Sequence, residues 1–304
     1  MATLRNAHRF RQFLAIVAEG SLTAAAEKLG TTQPALTKSL HKLESELGVP
    51  LVERRPRGIA LTVYGRNLLP HAQRIVAECR LADLELQSFG QGQQGTLTIG
   101  AGLMLGATLV PSAMSDLHRH YPGIALKLES GVTESHFPRL VAGEFDLMFG
   151  LLPPIESIPD HLAWRAIVEL DFRVVAGAGH PLIARREVRA AELADYPWVV
   201  IEHDREMVAN ILTTLAADGA PAPRINAEVS SLSALVRMLR SGTYLSCFAE
   251  SIAAMPDLGL ARVPYPRRFL RGRAGVVLHR SLERYGPAVK LIELVEAAAA
   301  SLRR

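Results

Sequence analysis

Residues 31–44 read TTQPALTKSLHKLE, and the proline at position 34 decides how the first part of the chain folds. A proline inside a helix costs about 3 kcal/mol, but in the first turn its missing N–H has no partner to lose. Pro34 therefore marks a beginning. Thr32 stands where an N-cap hydroxyl accepts from the first orphan N–H groups, and Gly48 stands where such a helix ends. The expectation is a helix over residues 33–47. Leu36, Leu40, Leu43 and Leu47 share one apolar stripe at about 100° per residue. Pro34, Thr37, Lys38 and His41 fall off that stripe, and Gln33 lies at the tip.

Working outward, residues 8–19 place Phe10, Phe13, Leu14 and Val17 at helical spacing, and Ser21 can cap a short helix that ends at Gly30. After the proline-marked helix, LVERRPRGIALT (51–62) alternates around a Pro/Gly turn like a small hairpin, with Arg54, Arg55, Arg57 and Gly58 at its tip. A long helical pattern runs from 63 to 89, with Leu68, Ile75, Ala82 and Phe89 seven apart, Ala72 and Leu86 between them, and Pro70 interrupting. Such a helix cannot bury its apolar face alone and is expected to pack on a second copy. GQGQQG (90–95) reads as a hinge.

From Thr96 strands and helices alternate: LTIGAG, a helix around 105–120, IALKLES, a helix around 133–143, and FDLMFG. A second set starts at DFRVVAG (171–177) and continues through PWVVIE (197–202), a helix at 206–218, INAEVS, a helix at 232–241 and YLSCF; RAGVVLH (273–279) and a helix at 286–302 close it. Two such α/β lobes joined by crossings enclose a cleft.

Charge separates the two parts. Residues 1–67 hold ten Lys/Arg against five acids, whereas the remaining residues hold 24 against 25, so the excess of +4 over the whole chain comes from the N-terminus. That points to an anionic partner there, most simply nucleic acid. The two cysteines, Cys79 and Cys247, make no disulfide framework and suit a reducing compartment. FLAIVA (13–18), behind Arg5, Arg9 and Arg11, is too short for a signal sequence, and no apolar run is long enough to span a membrane. The cytoplasm is the expected location. No GxSxG and no metal-ligand spacing occur, so no catalytic residues, metal or cofactor are expected.

Two short helices, a tight turn and a basic hairpin suggest a winged helix-turn-helix. The residue types suit DNA. Gln33 can bond an adenine edge through two hydrogen bonds, the Thr37 methyl can pack on thymine, and Lys38 can reach guanine or phosphate.

GSLTAAAEKL, TQPALTKSLHKLE, ELGVPLVER and LTVYG, in this order and spacing, resemble the N-terminal domain of LysR-type transcriptional regulators. LVPSAMSDLHRHYP, LVAGEFDLMFG, GHPL and the closing helix fit the effector domain of that family. Thr37 replaces the usual serine, Val52 the usual phenylalanine of the hairpin, and SGTYLSCF a glycine-rich stretch. The resemblance implies a winged helix-turn-helix over 1–62, a linker and dimerisation helix over 63–89, a hinge, and a two-lobed, periplasmic-binding-protein-like α/β effector domain over 96–304. Lobe 1 would comprise about 96–165 and 269–304, and lobe 2 about 166–268. Implied partners are double-stranded DNA, a small-molecule effector, a second copy in an antiparallel dimer that doubles to a homotetramer, and RNA polymerase. The candidate DNA-contacting set is Ser21, Thr23, Thr32, Gln33, Pro34, Thr37, Lys38, His41, Arg54, Arg55 and Arg57.

Strand ends that feed helix N-termini are where small polar ligands bind. The candidate effector set is Gly102, Leu103, Met104, Thr133, His203, Arg205 and Phe248; Thr133 can also cap its helix, and Cys247 reads as a small buried apolar residue. A competing motif is IGAGLMLG (99–106), whose Gly100, Gly102 and Gly106 approach a dinucleotide fingerprint and suggest an NAD(P)-dependent oxidoreductase. Pro111, inside the helix that would have to follow, favours a glycine-lined ligand loop instead. A solute receptor anchored by its N-terminal part is a third reading.

Overall fold

The computed structural model describes residues 7–55, 58–88 and 95–300, and of residues 54, 80, 81 and 84–88 only the backbone. Pro56, Arg57, Phe89, the hinge residues 90–94, and the side chains of Arg54 and Leu86 thus lie outside the described residues. The chain divides into two compact units, residues 1–95 with 138–146, and residues 96–137 with 147–304.

In the first unit, α1 (Ala7–Glu19), α2 (Leu22–Lys28) and α3 (Gln33–Leu47) precede a hairpin of β1 (Val52–Arg55) and β2 (Gly58–Leu61). The proline logic holds at α3. Thr32 Oγ1 accepts from the Ala35 N–H at 3.4 Å, Pro34 sits in the first turn, and Gly48 ends the helix in the left-handed region at φ 73°. Phe10, Phe13, Ile16, Ala25, Ala26, Leu36, Leu40, Leu43, Leu51 and Ala72 form the core. The fourth residue of the expected stripe, Leu47, is exposed because it lies beyond the end of that core. The long helix α4 (Val63–Ser88) continues through Pro70 rather than breaking there. Residues 138–146, expected in the effector domain, group with this unit, where Gln73 Nε2 donates to Glu144 Oε1 at 3.5 Å.

In the second unit, β3 (Gly95–Gly102), β4 (Ile124–Gly131) and β5 (Leu147–Leu151) start a mixed sheet. The helix expected around 105–120 is two helices, α5 (Leu103–Ala107) and α6 (Leu109–His120), parted at Thr108 (φ −123°, ψ −83°). Pro111 lies in the first turn of α6, so it starts a helix instead of disrupting one. α7 (Thr133–Val141) follows β4.

The strand expected at 171–177 is the second half of one 16-residue strand, β6 (Leu162–Gly177). It continues to α8 (Ala190–Ala194), β7 (Pro197–Ile201), α9 (Arg205–Ala217), β8 (Arg224–Val229), α10 (Leu232–Arg240), β9 (Ser246–Ala249), α11 (Glu250–Ala253), β10 (Leu260–Arg262), β11 (Leu270–His279) and α12 (Gly286–Ala300). The large sheet runs β10-β6-β11-β5-β3-β4, and β9 also pairs with β6. β11 pairs antiparallel with β6 over its whole length, with a register shift at Ala274/Gly275. The parallel pair β7-β8 joins through Leu245, whose N–H donates to the Pro197 carbonyl and whose carbonyl accepts from Val199. β6 therefore carries the lobe containing β3, β4 and β5 in its first half and the lobe containing β9 and β10 in its second.

Candidate functional site

α3 buries Leu36, Leu40 and Leu43 and leaves Gln33, Pro34, Lys38 and His41 exposed, with Thr37 half-buried. Its polar edge is pre-ordered. Thr37 Oγ1 donates to the Gln33 carbonyl at 2.9 Å and accepts from Gln33 Nε2 at 3.2 Å. The Thr37 hydroxyl is thus spent within the helix. Gln33 keeps Oε1 and one amide N–H, the pair an adenine edge requires. Ser21 and Thr32 are N-caps, accepting from Ala24 and Ala35 at 3.5 and 3.4 Å, so their hydroxyls also serve the fold; Thr23 is exposed.

Ion pairs fix the three helices and sort the cations. Arg9 grips both Glu46 oxygens at 3.0 and 2.9 Å, and Lys28 pairs with Glu19. Arg55 pairs with Glu53 on the hairpin. Lys38 and Lys42 are exposed and have no acidic partner among the described residues. These two lysines put uncompensated charge on α3, as Arg11 does on α1 and Arg66 does at the start of α4. The hairpin's backbone is held by one backbone and one side-chain acceptor: Ile59 N–H donates to Gly20 O at 3.0 Å, and Glu44 Oε1 accepts from Leu51 and Val52 N–H at 2.8 and 3.3 Å. Of the expected tip, Arg55 is described, whereas Arg57 and the Arg54 side chain lie outside the described residues.

In the second unit, Gly102 closes β3 directly before α5, with Leu103 and Met104 half-buried. A Cβ built on Gly150 would stand 3.2 Å from Thr133 Oγ1 and 3.5 Å from Gly102 N, so two bare glycines and a hydroxyl meet at one point. Thr133 is the first residue inside α7 rather than its cap, since the Val132 carbonyl takes the first N–H groups. Gly106 is used differently: a Cβ there would lie 2.2 Å from Ser130 Oγ. That glycine serves helix-to-strand packing, as the last glycine of a dinucleotide fingerprint does, but α5 ends one residue later, so only a five-residue helix follows the strand. The structure thus gives the dinucleotide alternative no support.

His203 and Arg205 flank the start of α9 and are exposed, and His203 has φ 66° with its Nδ1 3.7 Å from Glu202. Phe248 is 0% exposed, so in this conformation it offers no surface to a ligand. Sequence reasoning passes over Asp204, the N-cap of α9, which accepts from Met207 N–H at 3.1 Å. Burial pushes its carboxyl above the usual range against that hydrogen bond, and the negative charges of Glu134, from the first turn of α7, and Glu206 add to the push. Asp204→Asn keeps a capping oxygen and removes the charge. The variant should match or exceed the wild-type melting temperature at pH 7, and the difference should close as pH falls through the raised carboxyl range. Asp204→Ala should cost about 1 kcal/mol through loss of the cap. An Asn variant as unstable as the Ala variant would contradict this.

Cys247 is buried on β9, and burial, then the Asp204 charge, raise its thiol well above the ordinary value. A protonated, enclosed thiol is a poor nucleophile. Cys247 should therefore react with a soluble aromatic disulfide only on unfolding, a measurement made with Cys79→Ser. Rapid native-state labelling would show that the site opens.

Residues 7–66 match the family described as bacterial regulatory helix-turn-helix protein, lysR family, and residues 90–300 match the LysR substrate binding domain. An SDS degradation transcriptional activation protein of a Pseudomonas species is 32% identical over 262 residues, covering 83% of this chain and 81% of that protein. A probable hydrogen peroxide-inducible genes activator of Mycobacterium avium is 30% identical over 269 residues, 84% and 83% of the two chains. Among solved structures, a full-length OxyR from Pseudomonas aeruginosa, in a variant with one cysteine replaced by aspartate, superposes with TM-score 0.70 at 22% identity, over 95% of this chain and 94% of that one. Full-length CbnR complexed with its target DNA gives TM-score 0.62 at 20% identity, over 96% and 99%. These two likenesses are likenesses of fold.

Proposed function

The chain belongs to the LysR family of transcriptional regulators, DNA-binding proteins with an effector-binding domain, and from that premise we propose how its own residues divide the work. α3 enters the major groove. Gln33 and Lys38 contact base edges there, and the Thr37 methyl packs against thymine. Ser21, Thr23, Thr32 and Pro34 line the approach, and Arg54, Arg55 and Arg57 follow the neighbouring phosphates. The observation that carries this is the pre-ordered Gln33–Thr37 edge beside two lysines that have no acidic partner among the described residues. Positive charge is thus present where bases are read.

The effector is a small molecule seated where Gly102, Gly150 and Thr133 converge, with Leu103, Met104, His203 and Arg205 around it. Its preference for one arrangement of the lobes would shift the population of DNA-binding states. The chain works without a cofactor and is not an enzyme. Two copies pair through α4, whose 26 residues begin with exposed Val63 and Tyr64, and two pairs make a tetramer that meets RNA polymerase on DNA. No described helix is long and apolar enough to cross a membrane, and the cytoplasm is the working compartment.

A thermal-shift screen against organic acids, sugars and aromatic acids tests the cleft. A ligand at 100 times its Kd adds about 2.7 kcal/mol of stability. Thr133→Val, which removes the convergent hydroxyl while keeping its shape, should abolish most of that shift. A full shift in the variant would place the effector elsewhere.

A further inference from the structure

Glu44 holds two parts of the DNA-reading head at once. Its Oε1 accepts from the N–H groups of Leu51 and Val52, which start the hairpin, and its Oε2 lies 3.3 Å from His41 Nδ1 on the exposed side of α3. The His41 side chain is 70% exposed and that of Glu44 14%. A carboxylate only accepts hydrogen bonds, so this contact places the proton of a neutral His41 on Nδ1 and leaves Nε2 outward as a bare lone pair. A lone pair repels a phosphate oxygen. Protonated His41 presents Nε2–H instead, and Glu44 still accepts from Nδ1.

Geometry selects phosphate as the partner. His41 lies eight residues beyond Gln33, which is about 12 Å along the helix at 1.5 Å per residue. When the N-terminal turn of a recognition helix reads bases, a residue that far along has climbed to the groove edge, where the backbone runs. The charged groups around His41 are known. Glu44 faces it in contact, and Lys38 and Lys42 flank it on α3. From the elements packed on that helix come His8 and Arg11, both exposed, Arg9, bound to Glu46, Lys28, bound to Glu19, and the exposed Glu27; β1 carries the Glu53–Arg55 pair.

Resting on the DNA-reading assignment above, we propose that His41 takes up a proton when the head docks and donates it as a hydrogen bond from Nε2 to a DNA phosphate, and that Glu44 is the positioning residue that makes this uptake obligatory. Imidazole is the side chain whose charge ordinarily changes between pH 5 and 8. Operator affinity therefore rises as pH falls through that range, because the bound state holds more protons than the free state.

The two variants separate positioning from folding. Glu44→Gln keeps an oxygen for Leu51 and Val52 but turns a donor NH₂ toward Nδ1. That reverses the tautomer: neutral His41 then presents Nε2–H outward, and no proton is needed. His41→Ala removes the group from an exposed position.

The probe is a labelled duplex enriched by the full chain itself from a random-sequence pool, titrated by fluorescence anisotropy at pH 6 and pH 8 at fixed ionic strength. The wild type should bind about three- to tenfold more tightly at pH 6, as expected for one coupled proton and one phosphate contact. Both variants should bring that ratio close to one. Glu44→Gln should bind more tightly at pH 8 than the wild type does at pH 8, whereas His41→Ala should bind at both pH values as the wild type does at pH 8. A wild-type ratio near one, or an undiminished ratio in either variant, overturns the proposal while leaving DNA reading intact. Failure of the wild type to bind any duplex overturns both.

Discussion

Replacing Gln33 and Lys38 together by alanine should lower affinity for the cognate duplex by about 2–6 kcal/mol, roughly 30-fold to 10⁴-fold, since a good base-edge contact contributes about 1–3 kcal/mol. The fold should survive. Both side chains are exposed, and the core beneath them, Leu36, Leu40 and Leu43, is untouched. The two effects need not add. Removing the Gln33 amide also frees Thr37 Oγ1 from its 3.2 Å partner, so the edge loses its order as well as a contact. Non-specific binding should fall far less, because it follows the number of phosphates neutralised. Anisotropy titrations with the enriched duplex and with a scrambled one, at matched salt, separate the two terms. Equal losses on both duplexes would mean that the pair serves only phosphate.

The second large effect lies away from DNA. A Cβ on Gly65 would stand 2.0 Å from the Leu51 carbonyl oxygen and 2.9 Å from Leu61 Cδ2. That same carbonyl accepts from Thr62 N–H at 3.0 Å, and Thr62 Oγ1 in turn accepts from Gly65 N–H at 3.0 Å. Backbone cannot retreat as a flexible side chain can. Gly65→Ala should therefore separate the start of α4 from the hairpin and cost more than about 4 kcal/mol, in the range reserved for few substitutions. Gly48→Ala is the control. Its φ of 73° is strained for alanine, but nothing lies within 4 Å, so the cost should stay near about 1–2 kcal/mol. Limited proteolysis followed by mass spectrometry should show residues 1–62 of Gly65→Ala cut while the second unit resists. Equal protection in both variants would refute the close-approach argument.

What can be seen in the sequence follows the locality of each signal. α3 is legible to the residue because its cap, proline and terminal glycine are local, each with its own backbone requirement. Only half of the long strand β6 is legible: Trp164, Arg165 and Ala166 are exposed in succession, which breaks the alternation that marks a strand. β10 has three residues, too few for any period to show. Thr133 reads as a cap for α7, but whether the cap falls at 132 or 133 is fixed by the turn after β4. Asp204 hides in the charged run EHDRE, where its N-cap role depends on α9 starting at Arg205. Glu44 is unreadable because its backbone partners lie seven and eight residues ahead, beyond the reach of a helix-periodic pattern.

The central claim is that the cationic head reads sequence. Its most direct measurement is competition between a duplex enriched from random sequence and unselected competitor, with the full chain, across salt concentration and with and without cleft ligands. The account predicts protection of an interrupted inverted repeat that survives excess competitor, with log affinity falling by roughly 0.9 per phosphate neutralised as log salt rises. A chain that shows no preference for any duplex over random competitor, under every one of those conditions, would contradict it.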